Sequence, residues 1–249
     1  MSACEETYTY FAALRPTEIR QSGCVLLSLN GSCEINSFTE RLIISATRII
    51  AVDGGWSHLK NLGCRPDLLV GDLDSLPEEA SADPLLNDVA CQLYDRDKDE
   101  TDTELALNLA VREGADMIVL LGAMSAERPD HTLATLYLAL DKAGEGVRTL
   151  LTDGRSVLIP MVGPDRCRVD LTDFQASLAD TDRDLYISLL PLTREVCGVT
   201  TENLRWSLTD SCLARKEARG ISNEPVPGNN FFTISFATGN LLVCLTSEN

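Results

Sequence analysis

The sequence predicts an α/β domain, three layers deep around a mostly parallel sheet, followed by a smaller all-β domain of the sandwich or roll type. Three observations carry that expectation. From Cys24 onward, short apolar runs alternate with stretches of helical periodicity. Several of those runs, Met117-Ile-Val-Leu-Leu121 above all, are apolar at every position, the pattern of parallel strands covered on both faces. After Leu151 the helical stretches give way to short strand-like runs parted by turn residues.

Taken in order, residues 1–23 read as a polar lead-in. Residues 24–152 make the α/β domain, with strands expected over 24–29, 48–52, 68–70, 89–93, 117–121 and 147–151, and helices over 37–46, 55–62, 102–113 and 132–143. The third helix has the clearest signals. Thr101-Asp-Thr-Glu104 has the spacing of a capping box, Leu105 and Leu109 fall on one face with Ala106 and Ala110, and Gly114 ends it. Residues 153–249 make the β domain. Asp153-Gly154-Arg155 is a turn, and strands are expected over 156–160, 166–171, 185–190, 196–201, 204–208, 231–236 and 241–245. The alternation in Phe231-Phe-Thr-Ile-Ser-Phe236, with Thr238-Gly-Asn240 before the next apolar run, predicts antiparallel hairpins.

Composition narrows the function. At 249 residues the chain can bury a sizeable core. Its formal charge of −17 repels phosphate backbones and anionic bilayers, so neither nucleic acid nor membrane is an expected partner. An anionic small molecule would need a locally basic or metal-loaded site. Nine cysteines, odd in number and without a C-x-x-C pair, predict reduced, mostly buried thiols and a cytoplasmic protein. His58 and His131, with no matching cysteine cluster, make a zinc site a poor expectation. No signal-peptide pattern is expected at the start, and no apolar run approaches the ~20 residues of a membrane span.

The unusual polar residues fall where the predicted strands end, which is where open parallel sheets bind ligands. Asp53-Gly54-Gly55 follows one strand, and Gly71-Asp72-Leu-Asp74-Ser75 follows the next. Asp72 and Asp74, two apart in an extended segment, point to the same side. Alone they fit either a solvated acidic turn or a site for a hard divalent cation such as Mg²⁺. Residues 95–104 carry six acids with Arg96 and Lys98 between them. Helix-start electrostatics account for Asp102 and Glu104, and less well for Asp97 and Asp99. Arg128, Asp130 and His131 fit a phosphate clamp or a polar helix cap. The pair Gly54-Gly55 fits a close backbone approach to phosphate or an ordinary turn. No G-x-x-x-x-G-K-[ST] loop occurs, so phosphates would be held in another way.

Together and in order, these pieces resemble the thiamine pyrophosphokinase family. The resemblance is carried by Ala51-Val-Asp53-Gly54-Gly55, Pro66-Asp67-Leu-Leu-Val-Gly71-Asp72-Leu-Asp74-Ser75, Lys98-Asp99-Glu-Thr101-Asp102 and Gly122 with Arg128-Pro-Asp130-His131. In the tail it continues through Leu189-Leu-Pro191-Leu, Gly198-Val-Thr-Thr-Glu-Asn-Leu204-Arg-Trp206 and Ile221-Ser222-Asn223-Glu224. It implies transfer of a diphosphate from ATP to the hydroxyl of thiamine, giving thiamine diphosphate and AMP. By the same resemblance Asp72, Asp74 and Asp102 hold Mg²⁺, and Lys98, Asp99, Arg128 and Asp130 line the phosphate path. Asp53, Gly54, Gly55, Ser75, Gly122 and His131 would lie on the nucleotide side, and Asp99 or Asp130 would take the alcohol's proton.

Family members are homodimers with thiamine at the subunit interface. Trp206, Ser222 and Asn223 are therefore candidate thiamine contacts, a core tryptophan and a turn being the other reading. The chain departs from the family in Ala123-Met-Ser-Ala-Glu127, where glycines are usual, in Thr135 for an asparagine and in Asn203 for a glycine. Without those glycines, close backbone approach to a nucleotide is harder at residues 123–127. Two alternatives share the motifs: a diphosphokinase for another alcohol such as a hydroxymethylpterin, and a catalytically weak homologue that binds thiamine or nucleotide. A nucleotide-sugar transferase would share only the D-x-D pair.

Overall fold

A computed structural model describes residues 8–11, 23–71, 83–95, 97–179, 181 and 183–248. The expected site residues Asp72, Asp74 and Ser75 lie outside the described residues. In chain order the elements are β1 (Tyr8–Tyr10), β2 (Cys24–Ser28), α1 (Ser37–Ser45), β3 (Arg48–Val52), α2 (Trp56–Asn61), β4 (Leu68–Gly71), β5 (Ala90–Leu93), α3 (Asp102–Arg112), β6 (Met117–Leu121), α4 (Pro129–Gly144) and β7 (Arg148–Thr152). They continue with β8 (Ser156–Val162), β9 (Asp165–Asp170), α5 (Thr172–Leu178), β10 (Asp184–Pro191), β11 (Glu195–Glu202), β12 (Ser211–Ala214), β13 (Phe231–Phe236) and β14 (Asn240–Glu248). Two compact units result, Glu18–Gly154 and Arg155–Asn249 with Met1–Thr17.

In the first unit the strands pair in parallel in the order β7-β6-β2-β3-β4-β5. β2 and β6 are buried at every position, as their unbroken apolar sequences predict. β5 differs. It is the edge strand among the described residues, and Leu93 is exposed there. The crossovers β2-α1-β3 and β3-α2-β4 run one way along the sheet, while β5-α3-β6 and β6-α4-β7 run the other. Right-handed connections therefore put α1 and α2 on one face and α3 and α4 on the opposite face. The α/β domain with a mostly parallel sheet is thus as expected.

Local chemistry explains the helix starts. The Asn36 carboxamide accepts the Phe38 and Thr39 amides, and Thr39 Oγ1 accepts the Asn36 N–H, a full capping box at α1. Thr101 Oγ1 accepts the Glu104 amide at 3.2 Å and caps α3. The buried stripe of α3 is Ala106, Leu107 and Ala110, while Leu105 and Leu109 stay partly exposed, a rotation of the expected face toward Leu107.

The second unit is β-rich and carries a helix, α5, that the periodicity did not reveal. Its strands pair as β10-β14-β8 and as β1-β9-β13-β11-β12. Tyr8–Tyr10 runs parallel to β9, so part of the expected polar lead-in is a strand. The predicted hairpin across Thr238-Gly-Asn240 does not form. β13 pairs with β9 and β11, whereas β14 pairs with β8 and β10, and Gly239 carries the chain from one set to the other at φ +92°. Burial explains the split. β13 alternates between half-buried and buried, but β14 is buried over five consecutive residues and needs cover on both faces. Residues 204–208 are not a strand either, because Asn203 turns the chain at φ +64°, a conformation asparagine tolerates.

The thiols also differ from expectation. Cys24, Cys167 and Cys244 are buried thiols outside any disulfide, and burial pushes the Cys24 thiol up to about 11 and Cys244 up to about 12. Cys197 and Cys212, however, form a disulfide between the antiparallel strands β11 and β12, with Cα atoms 4.1 Å apart. A separation of 15 residues hid their adjacency, which the pairing of the two strands creates.

Candidate active site

The β2 and β6 strands lie side by side, yet their chains leave in opposite directions, β2 toward β3 and β6 toward β7. That is the switch point of the sheet, where the two departing loops leave a crevice. A cavity of about 290 Å³ occupies this place. Leu29, Asn30 and Gly31 line it from the loop after β2, Asp53 from the end of β3, and Gly122, Ala123 and Ser125 from the loop after β6. Arg128, His131, Thr132 and Thr135 face it from one side of the first turns of α4, and Thr103 from the start of α3. Four expected residues, Asp53 from the end of β3 and Gly122, Arg128 and His131 from the loop after β6 and the start of α4, are thereby brought together.

Size alone would have pointed elsewhere. A larger hollow of about 530 Å³ lies against Arg166 and Phe236 in the β-rich unit and holds none of the candidate site residues.

The electrostatics of the mouth suit an anion. The amino end of the 16-residue α4 presents partial positive charge, met in part by the Asp130 carboxylate, which accepts from the amides of residues 130 and 131, and Arg128 and His131 stand beside it. Arg128 donates to Asp130 through Nε at 3.1 Å and Nη2 at 2.9 Å, and its Nη2 also touches His131 Nε2. These hydrogen bonds hold the Asp130 carboxyl down at about 2, a weak base while the pair lasts. All three side chains are more than half exposed, so solvent screens the pair and Arg128 can exchange Asp130 for a phosphate oxygen at little cost.

The glycine-poor loop 123–127 is held by other means. Ser32 N–H donates to Met124 O at 2.7 Å, Ser125 N–H to Thr132 Oγ1 at 3.0 Å, and Arg128 N–H to Ser125 Oγ at 3.3 Å. A backbone bridge and two hydroxyls thus set the course of the loop.

Asp53 sits at φ +48°, and a Cβ on Gly71 would lie 1.8 Å from its Oδ1. Glycine is required at 71 so that this carboxylate can press against the end of β4, directly before Asp72. Gly54 and Gly55 lie buried behind Asp53. A Cβ on Gly55 would meet Ser28 O at 1.9 Å, and one on Gly54 would meet the Asn30 carboxamide at 2.4 Å. Their lack of side chains serves packing against the β2 end, and neither lines the cavity.

Lys98 Nζ meets the buried Oδ1 of Asp102 at 3.0 Å and donates to Asp95 O at 3.0 Å. Asp99 is exposed. Asp53 Oδ1 and Asp102 Oδ1 are both shielded from solvent, and such hard carboxylate oxygens fit Mg²⁺. Among the described residues no cluster of three acids, histidines or cysteines is gathered for a metal. The remainder of the expected set, Asp72 and Asp74, lies outside them.

A second cavity, of about 310 Å³, lies in the β-rich unit against Leu189, Trp206, Leu208, Arg219, Ile221 and Asn223. Trp206 is 53% exposed, so it is no core residue, and Arg205 stacks on its ring at 4.8 Å. Asn223 is buried and clamps the backbone of Trp206. It accepts the Trp206 N–H at 3.0 Å and donates to Trp206 O at 2.8 Å. Ser222, at φ +55°, donates its N–H to Ser188 Oγ and stands outside the lining.

Comparison with known proteins agrees with this division. Residues 39–151 match the model of the thiamin pyrophosphokinase catalytic domain, and residues 178–241 match that of the thiamin pyrophosphokinase vitamin B1 binding domain. The chain belongs to the thiamin pyrophosphokinase family. Among its relatives, thiamine pyrophosphokinase of Bacillus subtilis (strain 168) is 26% identical over 199 residues, covering 80% of this chain and 87% of that protein. A crystal structure of the enzyme from Bacillus subtilis superposes with a TM-score of 0.76 at 21% identity, covering 91% of this chain and all of that one. The enzyme from Candida albicans superposes at 0.75 and 15% identity over 100% of this chain and 95% of its own; both likenesses speak to fold.

As a thiamin pyrophosphokinase family member, the chain is an ATP-dependent diphosphotransferase. No helix among the described residues is long and apolar enough to cross a membrane.

Sequence reasoning did not single out Asn30, Thr103, Ser125 or Thr132. For Asn30 a signal existed: Asn30-Gly31 follows an apolar run just as Asp53-Gly54 does.

Proposed function

We propose that the switch-point cavity of the α/β unit seats the phosphates of ATP, and that the Trp206–Asn223 cavity of the β-rich unit takes thiamine. The reaction is that of a thiamine pyrophosphokinase, passing a diphosphate from ATP to the thiamine hydroxyl and releasing AMP. One observation carries the ATP assignment. Arg128, His131 and the amino end of α4 converge on a cavity at the sheet's switch point in a protein of net charge −17.

Diphosphoryl transfer asks for positioning and charge neutralisation more than for covalent help. Arg128 would leave Asp130 to take a phosphate oxygen, and Lys98 would share its charge between Asp102 and the diphosphate. Thr132 and Ser125 supply hydroxyls at the cavity wall. Asp72, Asp74 and Asp102 would hold Mg²⁺, which when bound supplies charge neutralisation on the phosphate oxygens. Asp99, exposed in the loop before α3, or Asp130 once Arg128 has left it, would accept the alcohol's proton. Trp206 offers an exposed aromatic face suited to stacking on a cationic heterocycle. We infer a homodimer with the thiamine site at the subunit interface, to be checked by light scattering of the purified protein.

The test is direct: purified protein with ATP, Mg²⁺ and thiamine should yield thiamine diphosphate and AMP. Release of ADP, or turnover with a hydroxymethylpterin in place of thiamine, would overturn the assignment.

A further inference from the structure

We infer that His58 is a positioning residue for the ATP cavity, anchoring to α2 the loop after β2, which in turn pairs with the loop after β6 to form its wall. The inference rests on the assignment of that cavity to ATP.

The two loops run side by side. Leu29 N–H donates to Leu121 O at 2.7 Å, Gly31 N–H to Gly122 O at 2.9 Å, and Ser32 N–H to Met124 O at 2.7 Å. His58 Nε2 lies 3.0 Å from Gly31 O, a hydrogen bond in which the ring nitrogen is the donor. A Cβ on Gly122 would stand 2.5 Å from Leu29 O and 3.1 Å from His58 Nε2, and one on Gly31 would stand 2.4 Å from Gly122 O. Imidazole, Leu29 carbonyl, Gly31 and Gly122 are therefore packed without a spare methyl's width between them.

Leu29, Gly31 and Gly122 all line the cavity, whereas His58 does not. Its influence passes through the backbones it holds. Burial lowers the proton affinity of the ring while the Gly31 and Leu29 carbonyls oppose that effect, so the ring is neutral at neutral pH and has a single N–H to place.

The sequence gives this tether its importance. Residues 123–127 contain no glycine, and the path of that loop past the ATP phosphates depends on the bridge to residues 29–32. His58 fixes the near end of that bridge. Without it the Gly31 carbonyl loses a donor in a half-buried place, and the loop after β2 loses its anchor to α2, leaving the three backbone hydrogen bonds between the loops to hold the wall by themselves.

The experiment compares H58Q with H58N. Glutamine keeps an N–H donor near the position of Nε2, while asparagine is one carbon too short to reach Gly31 O. The expected result is a KM for ATP close to native in H58Q and about tenfold higher in H58N, with the KM for thiamine unchanged in both. Equal KM values for ATP in the two variants, or a parallel rise for both substrates, would overturn the inference. R128A is measured alongside. If R128A raises the KM for ATP while both His58 variants stay native, His58 alone is misassigned. If none of the three moves it, the ATP assignment falls too.

A second readout needs no substitution at 58. The chain has two histidines, so imidazole NMR signals of the native protein and of H131Q identify the His58 ring. A non-hydrolysable ATP analogue should shift that signal and thiamine alone should not. An unmoved signal at saturating analogue would refute the role whatever the variants do.

Discussion

The two cavities are built in opposite ways. The mouth of the α/β unit is assembled from the short loops that follow β2, β3 and β6, whose neighbourhood is dictated by the parallel register of the strands. The cavity of the β-rich unit depends on contacts between residues far apart in sequence. Asn223 grips the backbone of Trp206, and the Cys197–Cys212 bridge closes the segment that carries Trp206 and Leu208. A strand-end site survives as long as the sheet does. A clamped loop needs its clamp.

The difference can be broken most severely at the first site. Asp102→Asn, or Asp72→Asn, should cut turnover about a thousandfold, since a carboxylate that neutralises charge at the reacting phosphates is lost. The fold should persist, with a modest fall in melting temperature for Asp102→Asn, which removes the carboxylate charge paired with Lys98. Steady-state AMP release and a thermal melt check both halves. Activity within a few-fold of native would return those residues to the role of helix caps.

At the second site the expected balance is reversed, with structure and affinity falling together. Asn223→Ala removes both hydrogen bonds that hold the Trp206 backbone and should cost about 2 kcal/mol of stability. The KM for thiamine should rise about tenfold while the KM for ATP stays within about twofold. Calorimetry with each substrate separates the effects, and a rise in both constants would contradict the assignment of separate cavities.

Replacing Cys197 and Cys212 by serine acts on the same segment more gently. Releasing a span of 15 residues should lower stability by up to ~3 kcal/mol, with an increase in the KM for thiamine smaller than that of Asn223→Ala. Chemical denaturation with and without a thiol reductant checks it. Reductant should shift the wild-type midpoint and leave the double variant unmoved.

The smallest effect is electrostatic. The Asp130 carboxyl is lowered in the folded chain from 3.8 to about 2 by Arg128. Because the folded value is the lower one, the stabilisation is complete above the unfolded value and is lost as pH falls from about 4 to about 2. Asp130→Asn should therefore lower the melting temperature slightly and evenly between roughly pH 5 and 8 and lose the shallow acid limb, so that the two profiles meet as pH falls to about 2, solvent screening keeping the difference small.

Much of the α/β unit was legible because apolar runs and caps are local signals. Met117–Leu121 could only be a doubly covered strand, and Thr101 and Gly114 bracketed α3. The motif residues followed from their place at strand ends. Less was legible where the decisive partner is remote. Nothing in Cys197 and Cys212 announces a bridge until β11 and β12 pair, and the Thr238-Gly-Asn240 turn has the composition of a hairpin although β13 and β14 part company there. Gly54 and Gly55 have the composition of a phosphate loop, yet their backbones are pressed against Asn30 and Ser28.

By itself, then, the sequence determined the order of strands and helices, the acidic character that repels a phosphate backbone, and the ordered motifs of a diphosphotransferase, since periodicity, charge and spacing are properties of neighbours along the chain. Only the tertiary structure decided which strand-end loops meet, that β2 and β6 part company at a crevice, that Arg128 waits on Asp130, and that Asn223 holds Trp206 at the surface. Those are facts of register and packing, fixed when distant segments bury their apolar faces together and their polar groups must find partners where they land.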